Sequence, residues 1–528
     1  MPDIVLVLGL LAAVAALVPL AGRLAVPYPI LLVIGGLLLG FVPNRVLPDV
    51  VLEPDLVLLL FLPPLLYWDA VNTSWRDFRA NLRPIISLAF GLVVATTLGV
   101  AAVAHLLLNF PWPVAFVLGA VVSSTDAVAA GSIMGRLGVP RRIVVILEGE
   151  SLVNDATALV VYGSAVGVVV HESFSLPDAT LHFVAASVGG VAAGLVVGWV
   201  VLRLRRRIDD TRVEGMVALL TPFAAYLPAD LLHGSGVLAA VAAGLYVGRR
   251  SPLDIAPATR LEADAIWELG TFVINGLVFI LIGLQLHPIV LDLSRQPFSK
   301  LLWEAAVVSV AVIALRIAWV YPGAYLAYAR IRLRDGGARP PSIAELGVVA
   351  WAGLRGVIAL TTALALPART NRGPFPDREL ILFLTFGVIV ATLVGQGLTL
   401  SPLIRWLSIA PDDIQDHEER EARRAATQAA LARLDVWADH DDAPLELIED
   451  LRMHHERRLA RLDGEHAGGM TDEATRGAVA RELRRDLLDA ERRALVDLRD
   501  RGVIGDDALR RVQRDLDLDE VRLDAETR

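Results

Sequence analysis

The sequence predicts an all-α polytopic membrane protein of about thirteen transmembrane helices, followed by a helical cytoplasmic tail. Three observations carry this. The 528 residues are 55% hydrophobic and only 20% charged, against roughly 25% charged in an ordinary soluble domain, and the mean hydropathy is +0.55. Apolar runs of roughly 17 to 25 residues, long enough to cross a bilayer at about 1.5 Å per residue, follow one another up to about Leu407. From Pro411 the composition turns to Arg, Glu, Asp, Ala and Leu at helical spacing.

The runs begin near residues 3, 29, 54, 84, 112, 143, 179, 213, 235, 264, 301, 343 and 379. The first opens after Met-Pro-Asp without a basic leader and runs past signal-peptide length, so it reads as a retained helix. The stretch AAYLPADLLHGSG separates two short runs near 213 and 235. Basic residues test the count. Alternate connections hold 20 of them, from Arg23 through the Arg203 to Arg212 group to Arg405, and the other connections hold 6, Arg45, Arg295, Lys300, Arg369, Arg372 and Arg378. Under the positive-inside rule the first set is cytoplasmic, which places the N-terminus outside, the C-terminus inside, and the number of spans as odd. Two regions follow: residues 1–410 in the membrane and residues 411–528 as a cytoplasmic helical tail with an assembly or regulatory role. In the tail, EEREARRAATQAALARLDVW and ELRRDLLDAERRALVDLRDRG set Leu, Ala and Val at i, i+3, i+4 intervals among charges of both signs.

Composition also excludes. There is no cysteine, hence no disulfide, thiolate zinc site or iron–sulfur cluster. Net charge is −9 and no basic stripe is interleaved with aromatics, so nucleic acid is not an expected partner. Phosphate-cradling glycine loops are missing, which removes an ATP-driven pump. No cofactor is expected.

The polar residues within the apolar runs are not evenly spread. In ILEGESLVNDATALVVY, Glu150 and Asn154 are four apart, as are Ser151 and Asp155, so they make one polar stripe on a helix. A charge near the middle of a bilayer helix costs about 2.5 to 3.5 kcal/mol on insertion scales. The preceding run carries VVSSTDAVAAGS, where Ser, Thr and Asp compete with the helix for backbone hydrogen bonds and predict a broken helix around Thr125 and Asp126. A second interruption is expected in VVAWAGLRGVIALTT, where Arg355 lies between Gly353 and Gly356. Arg316 stands alone in AVVSVAVIALRIAWV, and Asp69 follows FLPPLLYW. Two broken helices at corresponding places in two halves point to a binding site near the bilayer midplane. Carboxylates, hydroxyls and an amide carbonyl are hard oxygen donors suited to a small cation. For Glu150 and Arg316 the residues favour a structural ion pair in the core.

Taken together, FLPPLLYWDA, SSTDAVA, EGESLVNDATALV and WAGLRGVIAL closely resemble the bacterial branch of the electroneutral cation:proton antiporters, the NhaP/NHE type. The resemblance covers the membrane region and implies a homodimer in the bacterial inner membrane, each protomer with a dimerisation domain and a mobile core of inverted repeats with crossed broken helices. It implies exchange of Na+ or Li+ for H+ serving pH and sodium homeostasis, with Asp155 as the exchanged carboxylate. Thr125, Asp126 and Ser151 would join Asp155 around Na+, Asn154 would steady the site, and Glu150 would pair with a core arginine, Arg316 first and Arg355 as the second candidate. Asp69 is a further candidate, standing where many bacterial members have Glu. Electrogenic relatives carry two adjacent aspartates where this chain has Asn154 and Asp155, so a 1:1 electroneutral exchange is expected. A K+/H+ antiporter of the same fold stays open, since the ligand set does not measure cavity size. A channel or transport-dead sensor and an intramembrane aspartyl protease using Asp126 and Asp155 are distant alternatives; the protease sequences YD and GxGD are absent.

Overall fold

The computed structural model describes residues 2–24, 26–41, 59–171, 176–208, 210–254, 257–285, 289, 293, 296–335, 342–371, 373–409, 414–438, 445–463 and 518. Contacts divide the chain into two compact units, Met1–Asp412 and Asp413–Arg528.

In the first unit the described helices are α1 (Pro2–Arg23), α2 (Tyr28–Gly40), α3 (Leu62–Asn72), α4 (Trp75–Ala80) and α5 (Leu82–Leu108). Then come α6 (Trp112–Val121), α7 (Ala127–Leu137), α8 (Arg141–His171), α9 (Leu176–Arg205), α10 (Thr211–Leu231), α11 (Gly236–Asp254) and α12 (Pro257–Leu284). The series ends with α13 (Phe298–Asp335), α14 (Ile343–Trp351), α15 (Val357–Leu364), a two-residue β-ribbon pairing Arg369–Thr370 with Gly373–Pro374, and α16 (Arg378–Trp406). Among the described residues seven helices, α1, α5, α8, α9, α12, α13 and α16, contain a window long and apolar enough to cross a membrane. The other expected runs coincide with α2, α3, the interrupted pairs α6 with α7 and α14 with α15, and the continuous helices α10 and α11 of 21 and 19 residues. The total of thirteen crossings stays an expectation. The start of the run expected near residue 54, and Arg45, Arg295, Arg339 and Arg372, lie outside the described residues.

The helices form two groups. In one, α2 packs on α1 and α12, α11 packs on α3 and α9, and α10 lies against α9 and α11. Small residues permit this closeness: a Cβ on Gly36 would run into the Ile280 carbonyl, and one on Gly283 into that of Val33, so α2 and α12 meet backbone to backbone. The other group repeats one order twice. A long helix (α5), a broken helix (α6 and α7) and a long helix (α8) are matched by α13, the broken pair α14 and α15, and α16. The broken helices cross, in the inverted-repeat architecture expected of the fold. Both long-helix sets contain a π-helical turn, Ser87–Leu92 in α5 and Ala391–Gln396 in α16, a feature frequent at functional sites.

In the chain α4 joins α3 of the first group to α5 of the second, and it packs against α8 and α5. Ser74 caps it, accepting from the Asp77 amide at 3.4 Å, and Phe78 is buried. Asp77 accepts from Arg141 of α8 at 2.9 Å, which pins the connection to the start of the Asp155 helix. Partial burial works to raise the Asp77 carboxyl, but the bond from Arg76 and the charge of Arg141 outweigh it and hold the group below its ordinary value.

In the second unit, α17 (Ile414–Ala438) packs against α18 (Leu445–Asp463). Thr427 and Ile448 are buried and Arg452 bridges Asp435 at 2.7 Å. The second helical stretch expected in the tail, ELRRDLLDAERRALVDLRDRG, lies outside the described residues.

Candidate cation site

The two helix breaks create the site. After Val121 the chain leaves α6, runs unwound through Val122 to Asp126, and re-enters a helix at Ala127. Its counterpart runs unwound from Ala352 to Gly356 between α14 and α15. Unwound backbone at membrane depth must find partners inside the protein, and here the segments supply them to each other: the Asp126 amide donates to the Leu354 carbonyl at 2.8 Å. The approach requires glycine at 356, because a Cβ there would run into the Asp126 carboxylate.

Four half-helix ends therefore converge, and their dipoles are answered by charge. Asp126 caps α7, its Oδ1 accepting from the Val128 amide at 2.8 Å. Arg355, 1% exposed, serves the carbonyl ends: its Nε donates to the Val122 carbonyl at 3.1 Å and its Nη1 to that of Gly353. Its backbone amide donates to Thr392 Oγ1 at 3.1 Å, which ties the crossing to the π-helical turn of α16. Among the described residues Arg355 Nη2 is left without a hydrogen-bond partner.

Beside the crossing lies α8. Glu150 and Arg316, each 1% exposed, form a two-pronged pair, Nη1 to Oε1 at 2.5 Å and Nη2 to Oε2 at 2.8 Å. Arg316 also donates from Nε and Nη2 to the Val349 carbonyl at 3.1 and 3.0 Å, near the end of α14. The partner of Glu150 is thus Arg316, while Arg355 is engaged with backbone. The Thr125 hydroxyl donates to Glu150 Oε1 at 3.0 Å and accepts from Asn154 Nδ2 at 2.5 Å. Ser151 donates to the Thr125 carbonyl at 3.1 Å. These bonds fasten the unwound segment to the α8 stripe.

Asp155 is 1% exposed, and its Oδ1 accepts one hydrogen bond, from Ser124 at 2.6 Å. No cationic side chain is paired with it among the described ion pairs, whereas Asp126, Asp69 and Glu150 all act on it with like charge. Among the described residues Asn154 Oδ1, equally buried, has no hydrogen-bond partner. Asp155 is accordingly a buried carboxylate with unused acceptor capacity, next to a vacant amide oxygen and a helix-capping carboxylate. Such an arrangement can take up a proton or a small cation. Asp69 on α3 is exposed and reaches Asp155 and Asp126 by charge, not through the hydrogen-bonded cluster.

Of the sequence candidates, Thr125, Asp126, Glu150, Ser151, Asn154, Asp155, Arg316 and Arg355 come together at the crossing. Two contributors were not singled out from the sequence. Ser124 neighbours Thr125 in SSTD, and its place in that break was the only signal for it. Thr392, in the plain run VIVATLVG, offered none.

Similarity to known proteins agrees with this geometry. Residues 9–406 match the family described as sodium/hydrogen exchanger, transmembrane. An uncharacterized Na(+)/H(+) exchanger of Mycobacterium tuberculosis is 39% identical over 527 residues, covering 98% of this chain and 96% of that protein. A sodium, potassium, lithium and rubidium/H(+) antiporter of Bacillus pumilus is 31% identical over 446 residues, covering 81% of this chain and 65% of that protein. Among solved structures, the sodium proton antiporter MjNhaP1 from Methanocaldococcus jannaschii at pH 8 superposes with a TM-score of 0.60 at 18% identity, covering 76% of this chain and 97% of that one.

Proposed function

Since the chain belongs to the transmembrane sodium/hydrogen exchanger family, we propose that it exchanges Na+, or Li+, for H+ in a 1:1 electroneutral cycle with Asp155 as the shared site. The observation that carries this reading is the state of Asp155: buried, without a cationic side chain paired to it among the described residues, and held by one hydroxyl at 2.6 Å. Burial disfavours a bare carboxylate and a nearby cation favours it, so a proton and a sodium ion are alternative occupants. Candidate donors around the ion are the Asp155 and Asp126 carboxylates, Thr125, Ser151 and the free Asn154 oxygen. Asn154 itself does not titrate.

Charge bookkeeping supports the stoichiometry. Within the hydrogen-bonded cluster Glu150 is neutralised by Arg316 and one oxygen of Asp126 caps α7 in either loaded state, so Asp155 is the carboxylate taken to exchange. Loaded with either ion, the core carries no net new charge; empty, it carries a buried anion that is costly to move past a hydrophobic barrier. Alternating access then couples the two fluxes. The proposal includes a homodimer in the bacterial inner membrane, for which family membership is the support, and a cytoplasmic, regulatory or assembling tail, for which the basic residues of alternate connections are the support.

A second reading, exchange of K+ for H+, is favoured by the breadth of cations in the name of the Bacillus pumilus relative. Purified protein in liposomes, with Na+, Li+ and K+ gradients applied in turn at several pH values, separates the two. Exchange driven by Na+ and Li+ supports the first; K+ alone as driver replaces it with the second.

A further inference from the structure

A groove of about 620 Å³ opens between α5, α6, α8 and the start of α9, outside the cation site. Its walls include Val94 and Leu98 of α5, Phe116 of α6, Val161 and Ala165 of α8, and Phe183 of α9. Phe90 and Phe183, both on the lining, meet edge to face at 5.1 Å.

Its chemistry is one-sided. The hydroxyls on the α5 and α8 walls turn back to their own helices: Thr97 to the Val93 carbonyl at 2.8 Å, Thr157 to Val153 at 3.1 Å and Ser164 to Val160 at 3.0 Å. They offer little to water, which needs two to four polar partners to stay in a cavity, or to an ion. The space is of the size that takes an extended small molecule, roughly 300–1,000 Å³. Because α5, α8 and α9 each hold a membrane-crossing window, the surrounding medium is hydrocarbon.

One end of the groove is different. Trp112 on its lining stacks on His105 at 4.2 Å, and His105 Nδ1 is 2.8 Å from the Phe110 carbonyl. Amphipathic rings of this kind sit at headgroup level. An apolar slot with an aromatic mouth matches a lipid: tail inside, headgroup at the rings.

We propose that this groove binds one acyl chain of a membrane phospholipid. The chain would lie directly behind the cation site. Thr157 on the groove wall is two residues from Asp155, and the backbone of Thr97 abuts Gly119 of the first half-helix, where a Cβ would strike it. The lipid thus wedges between the helices that carry the ion ligands and α9.

The test is photolabelling. The full-length protein is reconstituted in phosphatidylethanolamine and phosphatidylglycerol vesicles containing a trace of phosphatidylethanolamine with a diazirine in mid-chain, irradiated, digested and mapped by mass spectrometry. Labels are expected to be several-fold enriched on residues 94–98, 112–116 and 157–168 over the lipid-exposed Trp303 and Val310 of α13, which are 67% and 65% exposed. Val161→Trp should fill the slot and abolish that enrichment while α13 labelling persists; Ala165→Leu serves the same purpose if the larger residue prevents folding. Groove labelling no stronger than that of α13, enrichment unchanged in the filled variants, or an absence of groove labels while α13 is labelled, would overturn the proposal.

Discussion

Replacing Arg316 by methionine tests the buried centre most sharply. The change keeps an unbranched side chain but deletes four hydrogen bonds, two to Glu150 at 2.5 and 2.8 Å and two to the Val349 carbonyl at 3.1 and 3.0 Å. Glu150, 1% exposed, keeps only the Thr125 hydroxyl. Breaking a buried pair from one side costs about 3–5 kcal/mol, a factor of roughly 10² to 10⁴ in the folding equilibrium. Removing both charges is far milder, because no orphaned ion remains. Arg316→Met alone should therefore melt well below wild type in detergent, and Glu150→Gln combined with it should recover most of the loss. Glu150→Gln alone should fall between them, since glutamine can still accept from Thr125 and Arg316. Thermal unfolding of all four proteins, read with retention on size-exclusion chromatography, yields the coupling energy. A single Arg316→Met variant as stable as wild type, or a double variant no better than the single, would refute the reasoning.

Asp155→Asn should insert and fold yet lose sodium-driven proton movement in liposomes, because the amide keeps the size but cannot cycle a proton; substantial remaining exchange would shift the essential group to Asp126. A valinomycin-clamped potential should leave sodium uptake unchanged. One charge moved through 100 mV is worth about 2.3 kcal/mol, so any acceleration or reversal would mark a second proton carrier. Gly356→Ala should drive a methyl group into the Asp126 carboxylate and raise the sodium concentration needed for half-maximal exchange, whereas unchanged sodium dependence would show that the crossing tolerates displacement.

Much of the architecture was legible because it is locally encoded. The interruptions at SSTD and at GLRG announce themselves by residues that satisfy helical backbone poorly, and the structure unwinds the chain at Val122–Asp126 and Ala352–Gly356. The polar stripe of α8 followed from a spacing of four. The runs near 29 and 112 read as spans of ordinary length, but the described helices there are shorter, 13 residues in α2 and 10 and 11 in the half-helices α6 and α7, because hydropathy marks an apolar run and not where its helix begins and ends.

Amino-acid order alone, then, determined the membrane class, the break positions and the set of intramembrane polar residues, because hydropathy, helix period and backbone competition act over a few neighbours. Packing decided who meets whom. Glu150 chooses Arg316, 166 positions away, while Arg355 turns to the Val122 carbonyl, 233 positions away. Ser124 reaches Asp155 only because the unwound segment lies against α8. Such pairings depend on the relative placement of helices distant in the chain, and within a dry interior each polar group must take the partner that this placement brings within about 3 Å.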